Sequence, residues 1–363
     1  MMKIIFTAFL ITIVAGSYGQ AEISNKAYFK KFLRPSQEKN LLILGENHGS
    51  MASAVMYPAF VKYLTRKTGL RTLLIEFGPS EAYFYNKYLE TGNEKHLNYT
   101  LYAGAIREWR DAWKMLYDYN KKLKKPIKVI GIDFDRTRTM AYAIYSMFLN
   151  YDQKPKFVED LMKEISSPTF YSSYTIGYPN RKDIEWANKT KALLRDNIDS
   201  LRSFLSEKDM KIFREILENK AVNYADGREE ALYENTKRII SESADSRFFL
   251  LIGRSHAYLN PIFADSNRLA KRISQTPGIR ICTGSILYED SEFGVSKDKP
   301  VTLFEISNKD PWKAFYPEIN KEASGEYDIV PLKKKLAPLA HYLDYILVAR
   351  KQVRYTLINQ KAK

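Results

Sequence analysis

The chain has 363 residues, and 45% of them are hydrophobic, so it can bury a large core as one big domain or two small ones. Its 57 lysine and arginine residues outnumber its 42 aspartate and glutamate residues, which gives a formal charge of +15. No basic segment carries the interleaved aromatic residues of a single-strand binder. We therefore expect no nucleic-acid partner and attribute most basic clusters to solvated helix ends and loops.

The first nineteen residues have the pattern of a secretory signal peptide. Met1-Met2-Lys3 is a short basic start, Ile4 to Ala15 is apolar, and small residues lead to a predicted cleavage after Gly19. The apolar stretch is shorter than the roughly 20 residues that span a bilayer, and no later segment is long and apolar enough. We expect an exported protein, periplasmic or secreted, with no transmembrane segment after cleavage of the signal.

Six short apolar runs are typical of buried strands: 41–44, 72–75, 127–132, 248–252, 279–286 and 345–348. Between the early runs, Val55, Phe60 and Leu64 have the spacing of one helix, and Trp109 and Trp113 belong to another. Strands that alternate with helices and lack a polar face predict an α/β fold with a mostly parallel central sheet flanked by helices.

The pattern changes between about residues 140 and 243. Strand-like runs disappear there and charged amphipathic segments replace them, which predicts a helical insertion over the carboxyl edge of the strands. The chain has no internal repeat and no low-complexity linker, so we predict a single domain over residues 20–363. The only cysteine, Cys282, falls in the fifth apolar run, where we predict a buried and unreactive thiol.

Polar side chains follow four of the apolar runs. The runs end in Glu46 and His48, in Glu76, in Asp133 and Asp135, and in Arg254 and His256. A lone Asp after a strand commonly caps a helix, and a lone His is more often structural. Because ligands of open parallel sheets bind beyond the carboxyl ends of the strands, four such ends together favour a functional site.

The residue types in this set point to general acid–base chemistry. The unperturbed pKa of imidazole lies near neutral pH, so we predict that His48 deprotonates water. Glu76 would orient His48 and stabilise its charged form, and His256 would protonate the leaving group or bind the developing oxyanion. The chain has no Gly-x-Ser-x-Gly elbow, which favours water over serine as the nucleophile.

Two histidines and several carboxylates would also be adequate ligands for zinc or manganese. The chain has no His-Glu-x-x-His helix and no other compact pair of metal ligands. We therefore expect neither a metal ion nor another cofactor.

The motifs around these residues resemble those of the erythromycin-esterase-like family. "LGENHGS" is similar to the family's Gly-Glu-x-x-His-Gly turn, although it is one residue shorter between the glutamate and the histidine. Trp109-Arg110 opens a helix that leads to a Gly-x-Asp strand end, and Arg228 and Asn235 match a later family helix. The resemblance covers most of the mature chain. It implies that catalysis rests on His48, Glu76 and His256, and substrate binding on Glu46, Arg110, Asp133 and Arg228.

The combined prediction is an exported hydrolase that cleaves an ester or a lactone of a small, possibly anionic molecule. The arginine usually found just beyond the first motif is absent, and the last motif has one histidine where family members often have two, so the substrate need not be a macrolide. The wider superfamily also resembles haem-binding lipoproteins and metal-dependent proteases. Binding of haem or another ligand and metal-dependent peptidase activity are therefore the alternatives. His96 and His341 follow no strand and are expected to be structural or exposed.

Overall fold

The computed structural model describes residues 31, 38–175, 177–220, 227–260, 268–294, 302–303 and 312–358. The signal peptide predicted over residues 1–19 lies outside these ranges. Within them, no helix combines the length and the apolar character that crossing a membrane requires.

The strands of the described residues, in chain order, are β1 (Leu41–Glu46), β2 (Thr72–Ile75), β3 (Lys128–Gly131), β4 (Phe248–Gly253), β5 (Ile281–Glu289), β6 (Glu292–Phe293), β7 (Thr302–Leu303), β8 (Tyr327–Pro331) and β9 (Tyr345–Arg350). Seven of them form one sheet in the order β3-β2-β4-β1-β5-β9-β8, and β6 pairs with β7 separately. Every neighbouring pair in the large sheet is parallel except β8 with β9, which are antiparallel. The predicted mostly parallel sheet is confirmed, with β8 as an additional edge strand.

The α-helices of the described residues are α1 (Met51–Thr68), α2 (Pro79–Thr91), α3 (Leu101–Ala105), α4 (Arg107–Asn120), α5 (Thr137–Phe148), α6 (Lys156–Ile165), α7 (Phe170–Ser173), α8 (Arg181–Asp196), α9 (Ile198–Phe204), α10 (Glu207–Glu218), α11 (Arg228–Glu242), α12 (Leu269–Ser274) and α13 (Tyr316–Glu322). Apolar residues of α1, α2 and α4 pack on one face of the sheet, against Leu42 and Leu44. Residues of α11 and α12 pack on the other face, against Leu41 and Ile43. Both faces are covered, which explains why β1, β2 and β4 are mostly apolar.

The predicted helical insertion corresponds to α5 through α11, between β3 and β4. The described residues of this stretch contain no strand. The stretch has its own apolar core, in which Met140, Ile144, Phe148 and Phe213 are fully buried. Its last helix begins at Arg228, whose side chain reaches the residues that follow β2 and β3, so the insertion lies over the carboxyl edge of the sheet.

Candidate active site

A cavity of about 460 Å³ opens at the carboxyl ends of β1, β2, β3 and β4. These four strands are consecutive neighbours in the sheet, so the residues that follow them arrive at one edge. A cavity of this volume suits a small organic molecule. Its wall contains six of the seven site residues named from the sequence: Glu46, His48, Glu76, Asp133, Arg228 and His256.

A tight turn after β1 brings His48 into the cavity. Gly49 has a φ of 109°, which residues with a Cβ atom rarely adopt, and Ser50 then caps the start of α1. Gly45 allows the end of β4 to approach closely, because a Cβ atom there would lie 2.8 Å from the Cα of Arg254. The glycines on either side of the Glu46–His48 pair thus shape the turn and let the strand ends pack.

His48 is held between two carboxylates. Its Nδ1 lies 2.9 Å from Oε1 of Glu46, and its Nε2 lies 3.8 Å from Oε2 of Glu76. Burial alone would lower the pKa of His48, but the hydrogen bond with Glu46 and the charges of Glu46 and Glu76 raise it to about 9. The imidazole is therefore protonated at neutral pH, a state that suits a proton donor better than the base predicted for this position.

Glu76 is the carboxylate shared by the two histidines of the cavity. Its Oε1 lies 3.6 Å from Nε2 of His256 and accepts a hydrogen bond of 2.6 Å from Arg228. Its Oε2 accepts a hydrogen bond of 2.5 Å from the backbone N–H of Gly253. Burial works to raise the pKa of Glu76, but His256, His48, Arg228 and the Gly253 N–H together lower it. Glu76 is therefore ionised and can balance positive charge on either ring.

Arg228 joins the helical insertion to the strand ends. Its Nε and Nη2 donate to the carboxylate of Asp133 at distances between 2.6 and 3.2 Å, and Nη2 also donates to Glu76. Its Nη1 lies 3.2 Å from Nε2 of His256. The side chains of Arg228, Glu76 and Asp133 are only 11%, 10% and 4% exposed. The guanidinium thus ties together groups delivered by β2, β3 and β4.

His256 occupies a short 3-10 helix, Arg254–His256, directly after β4, and its side chain is only 6% exposed. Its Nδ1 lies 2.5 Å from Oε1 of Glu229. An arginine side chain can only donate, so in the contact with Arg228 it is Nε2 of His256 that accepts. His256 therefore presents to the cavity a nitrogen that can accept a proton.

Glu229 is itself fixed in place, although the strand-end pattern did not indicate it. Its carboxylate accepts hydrogen bonds of 3.0 Å from Arg268 and 3.1 Å from the backbone N–H of Leu269, which begins α12. Burial works to raise the pKa of Glu229, but the contacts with His256 and Arg268 lower it. The only sequence signal for Glu229 is its position beside Arg228, at the start of α11.

Arg136 is a second cavity residue that the sequence-based prediction missed. It follows the third polar strand end directly, in "IDFDR", and lines the cavity. Its guanidinium lies 5.0 Å from the ring centroid of Phe77 and donates to the buried Glu81 at 3.2 Å. Burial raises the pKa of Glu81 to about 7 even though Arg136 acts to lower it. Arg136 thus adds a guanidinium to the cavity wall.

Arg110 is not part of the cavity wall, although it was predicted to bind substrate. Its Nε donates to the backbone oxygen of Ala103 at 3.0 Å, its Nη2 donates to Asn98 at 2.5 Å, and its Nη1 lies 3.7 Å from Glu94. Consecutive residues of an α-helix point about 100° apart, and Trp109 takes the direction that faces the cavity. The structure thus separates Arg110 from the six other predicted site residues.

The other polar candidates have structural surroundings. Asp135 accepts a hydrogen bond of 2.8 Å from the backbone N–H of Ser80, at the start of α2. His96 is half-buried, His341 is exposed, and neither lines the cavity. Cys282 is fully buried, and burial raises the pKa of its thiol, so it is the unreactive cysteine that was predicted.

The cavity's possible metal ligands are imidazoles and carboxylates, which pair with one another and with arginine. The Nδ1 atom of each ring is engaged by a carboxylate, from Glu46 or from Glu229. Among the residues that the structure describes, no group of three or more His, Cys, Asp or Glu side chains is arranged to hold a metal ion.

Comparison with known proteins relates the chain to solved structures. No protein-family model matches the sequence, and no curated protein matches it. A protein from Bacillus cereus has 17% identity and a TM-score of 0.64 over 91% of this chain and 93% of its own. A succinoglycan biosynthesis protein has 16% identity and a TM-score of 0.62 over 90% and 91%. A mutant of the erythromycin esterase EreC in its open conformation has 13% identity and a TM-score of 0.60 over 89% and 93%. Over nearly its whole length, this chain therefore has the fold of an erythromycin esterase, as the motifs predicted.

Proposed function

We propose that this protein hydrolyses an ester or a lactone with water as the nucleophile. The observation that carries the proposal is a pair of histidines that face one carboxylate, with Nε2 of His48 3.8 Å and Nε2 of His256 3.6 Å from Glu76. Hydrolysis of an ester needs one group that takes a proton from water and another that gives a proton to the leaving oxygen. Two imidazoles within one cavity can supply both groups, one as the base and the other as the acid.

In the proposed reaction His256 is the base. Its Nε2 has a lone pair, and Glu229 at Nδ1 stabilises the charge that the ring gains. In the reaction, a water molecule takes the place of the Arg228 N–H beside Nε2 of His256. The water transfers a proton to Nε2 while the water oxygen attacks the carbonyl carbon of the substrate. The burial of His256 strengthens these interactions, because few solvent molecules compete with them.

His48 is the acid in the proposed reaction. With a pKa of about 9 it carries a proton at neutral pH and can pass it to the leaving oxygen as the carbon–oxygen bond breaks. His256 gains one proton and His48 loses one, so a later transfer through water restores both rings. This order reverses the roles predicted from the sequence, because a histidine that is already protonated cannot accept a proton from water.

We also propose that the substrate is a small molecule with a negatively charged group and that the protein is exported. Arg136 and Arg254 on the cavity wall support the first part. The basic and apolar pattern of residues 1–19 supports the second. N-terminal sequencing of protein purified from outside the cytoplasm tests export, and we expect the mature chain to begin at Gln20.

A panel of esters and lactones tests the hydrolase proposal, with the wild type compared with His256→Asn. We expect kcat/KM to fall by roughly a hundredfold to ten-thousandfold in the variant, the usual contribution of a positioned acid–base group. His341→Asn is the control, since this exposed ring lies outside the cavity, and its activity should equal that of the wild type. Full activity of a correctly folded His256→Asn protein, or no hydrolysis of any ester or lactone by the wild type, would contradict the proposal.

A further inference from the structure

The cavity has an inner end that the proposed acid–base chemistry does not use. Its wall there contains Tyr57, Trp109 and Trp113, which we call the aromatic subsite. These side chains are 2%, 5% and 2% exposed, whereas the side chain of His48 is 43% exposed. The ring of Tyr102 lies 6.0 Å from the ring of His48 and 5.8 Å from that of Trp109. The aromatic subsite therefore begins one ring away from the proposed catalytic acid.

Polar atoms without a partner border this subsite. Within the described part of the chain, Oε2 of Glu46, the hydroxyl of Tyr57 and Nε1 of Trp113 are buried and form no hydrogen bond. In contrast, Nε1 of Trp109 donates to the hydroxyl of Tyr355 at 2.8 Å. A buried polar group without a partner is costly, and more so when it is charged. A ligand in the aromatic subsite can therefore supply hydrogen-bond partners to these three groups.

The three residues line the same cavity, and their polar atoms require complementary partners. The rings of Tyr57 and Trp113 are 6.0 Å apart, and after burial the nearby charge of Glu46 is what raises the pKa of Tyr57. A carboxylate oxygen can only accept, an indole N–H can only donate, and a tyrosine hydroxyl can do either. One hydroxyl group meets these requirements, since it can donate once and accept twice. An anionic ligand would be repelled by the carboxylate of Glu46. A cationic ligand would offer no acceptor to the indole N–H of Trp113.

We propose that the aromatic subsite binds a phenol-type ring through its hydroxyl group. The flat ring packs against the aromatic walls, and its hydroxyl group lies between Glu46, Tyr57 and Trp113. The opposite end of the ring then points past Tyr102 toward His48 and Glu76. This inference rests on the proposed function: if the protein hydrolyses an ester or a lactone, its substrate carries a hydroxylated aromatic ring beside that bond.

Calorimetric titration of the intact protein with phenol and with toluene tests the proposal, because the two probes have similar size and differ by a hydroxyl in place of a methyl group. We expect phenol to bind at least about tenfold more tightly, the effect of hydrogen bonds to buried and partly charged groups. Tyr57→Phe removes one of the three hydrogen bonds, so the preference for phenol over toluene should shrink by at least about threefold while toluene binding stays unchanged. Tyr83→Phe is the control, since this hydroxyl contacts Ser146 away from the cavity, and it should bind phenol like the wild type.

Equal affinities for the two probes in the wild type, or an unchanged preference in Tyr57→Phe, would overturn the proposal. Failure of both probes to bind would also overturn it and would mean that the subsite holds water only. His256→Asn should bind phenol as the wild type does, because the subsite lies apart from that ring. Phenol binding without hydrolysis of any ester or lactone would therefore refute the proposed function while leaving the subsite in place.

Discussion

Each of the two histidines of the cavity has its own carboxylate at Nδ1 and Glu76 near Nε2, but only His256 also has a guanidinium at Nε2. His48 has Glu46 at 2.9 Å on one side and the carboxylate of Glu76 at 3.8 Å on the other. His256 has Glu229 at 2.5 Å on one side, and on the other side it has both the guanidinium of Arg228 at 3.2 Å and the carboxylate of Glu76 at 3.6 Å. An ionised carboxylate can only accept hydrogen bonds, whereas a guanidinium can only donate them.

The added guanidinium changes what Nε2 of the ring can do, because arginine donates hydrogen bonds and accepts none. Between two carboxylates the charged ring is stabilised on both sides, so His48 keeps both protons at neutral pH. At His256 the guanidinium of Arg228 can only donate, so in this contact Nε2 is the acceptor. Two similar side chains at two similar strand ends can therefore serve as the acid and the base of one reaction.

Replacing Arg228 with Met removes the guanidinium that distinguishes the surroundings of His256 from those of His48. We expect this variant to show the largest loss of stability. Asp133 and Glu76 would remain as buried carboxylates without their counter-ion, and we expect the free energy of unfolding to fall by about 3–5 kcal/mol. Chemical denaturation measures this change. Arg238→Met is the control, because Arg238 lies in the same helix and contacts carboxylates at the surface, where such pairs contribute about 1 kcal/mol or less. Similar losses in the two variants would contradict the view that Arg228 is the central ion-pair partner.

Replacing Glu229 with Gln tests how His256 is held. The amide can donate to Nδ1 and so favour the wrong tautomer, and we expect turnover to fall by about a hundredfold. Nitrogen-15 NMR of the ring nitrogens should show the Nδ1 proton in the wild type and its loss from that position in the variant. Glu230→Gln is the matched control, since the neighbouring carboxylate is 61% exposed and contacts Arg272. An unchanged spectrum of His256 in Glu229→Gln would exclude the positioning role.

The pH dependence of the rate should show whether His48 is the acid or the base. The expected change is the smallest of the three predictions. If His48 is the acid, the rate falls about tenfold per pH unit above its pKa of about 9, because the required proton is lost. If His48 were the base, the rate would instead rise until pH 9. Its pKa is raised from 6.5 on folding, so the stability it contributes is complete below pH 6.5 and is lost as the pH rises through 9. His48→Gln should lack this alkaline loss of melting temperature.

The apolar runs predicted the sheet well because each strand is buried on both faces, which leaves an uninterrupted signal in the sequence. The strand β8 was missed, since Tyr327-Asp328-Ile329-Val330-Pro331 mixes polar residues and proline with its apolar residues at the edge of the sheet. Arg110 was placed wrongly because the sequence shows that α4 exists but not which direction each of its side chains takes. The only signal for Glu229 was its position beside Arg228, and a glutamate in the first turn of a helix is ordinary.

The sequence alone determined the mostly parallel sheet and the set of polar residues at its strand ends, because both follow from local patterns and the shared edge of neighbouring strands. Only the tertiary structure decided that His48 lies between two carboxylates and that His256 contacts Arg228. Glu76 and Arg228 are 152 positions apart in the chain, and His256 is 28 positions beyond Arg228. The proton state of a ring depends on charges within a few ångströms of it, and these are brought together only when the insertion folds over the strand ends.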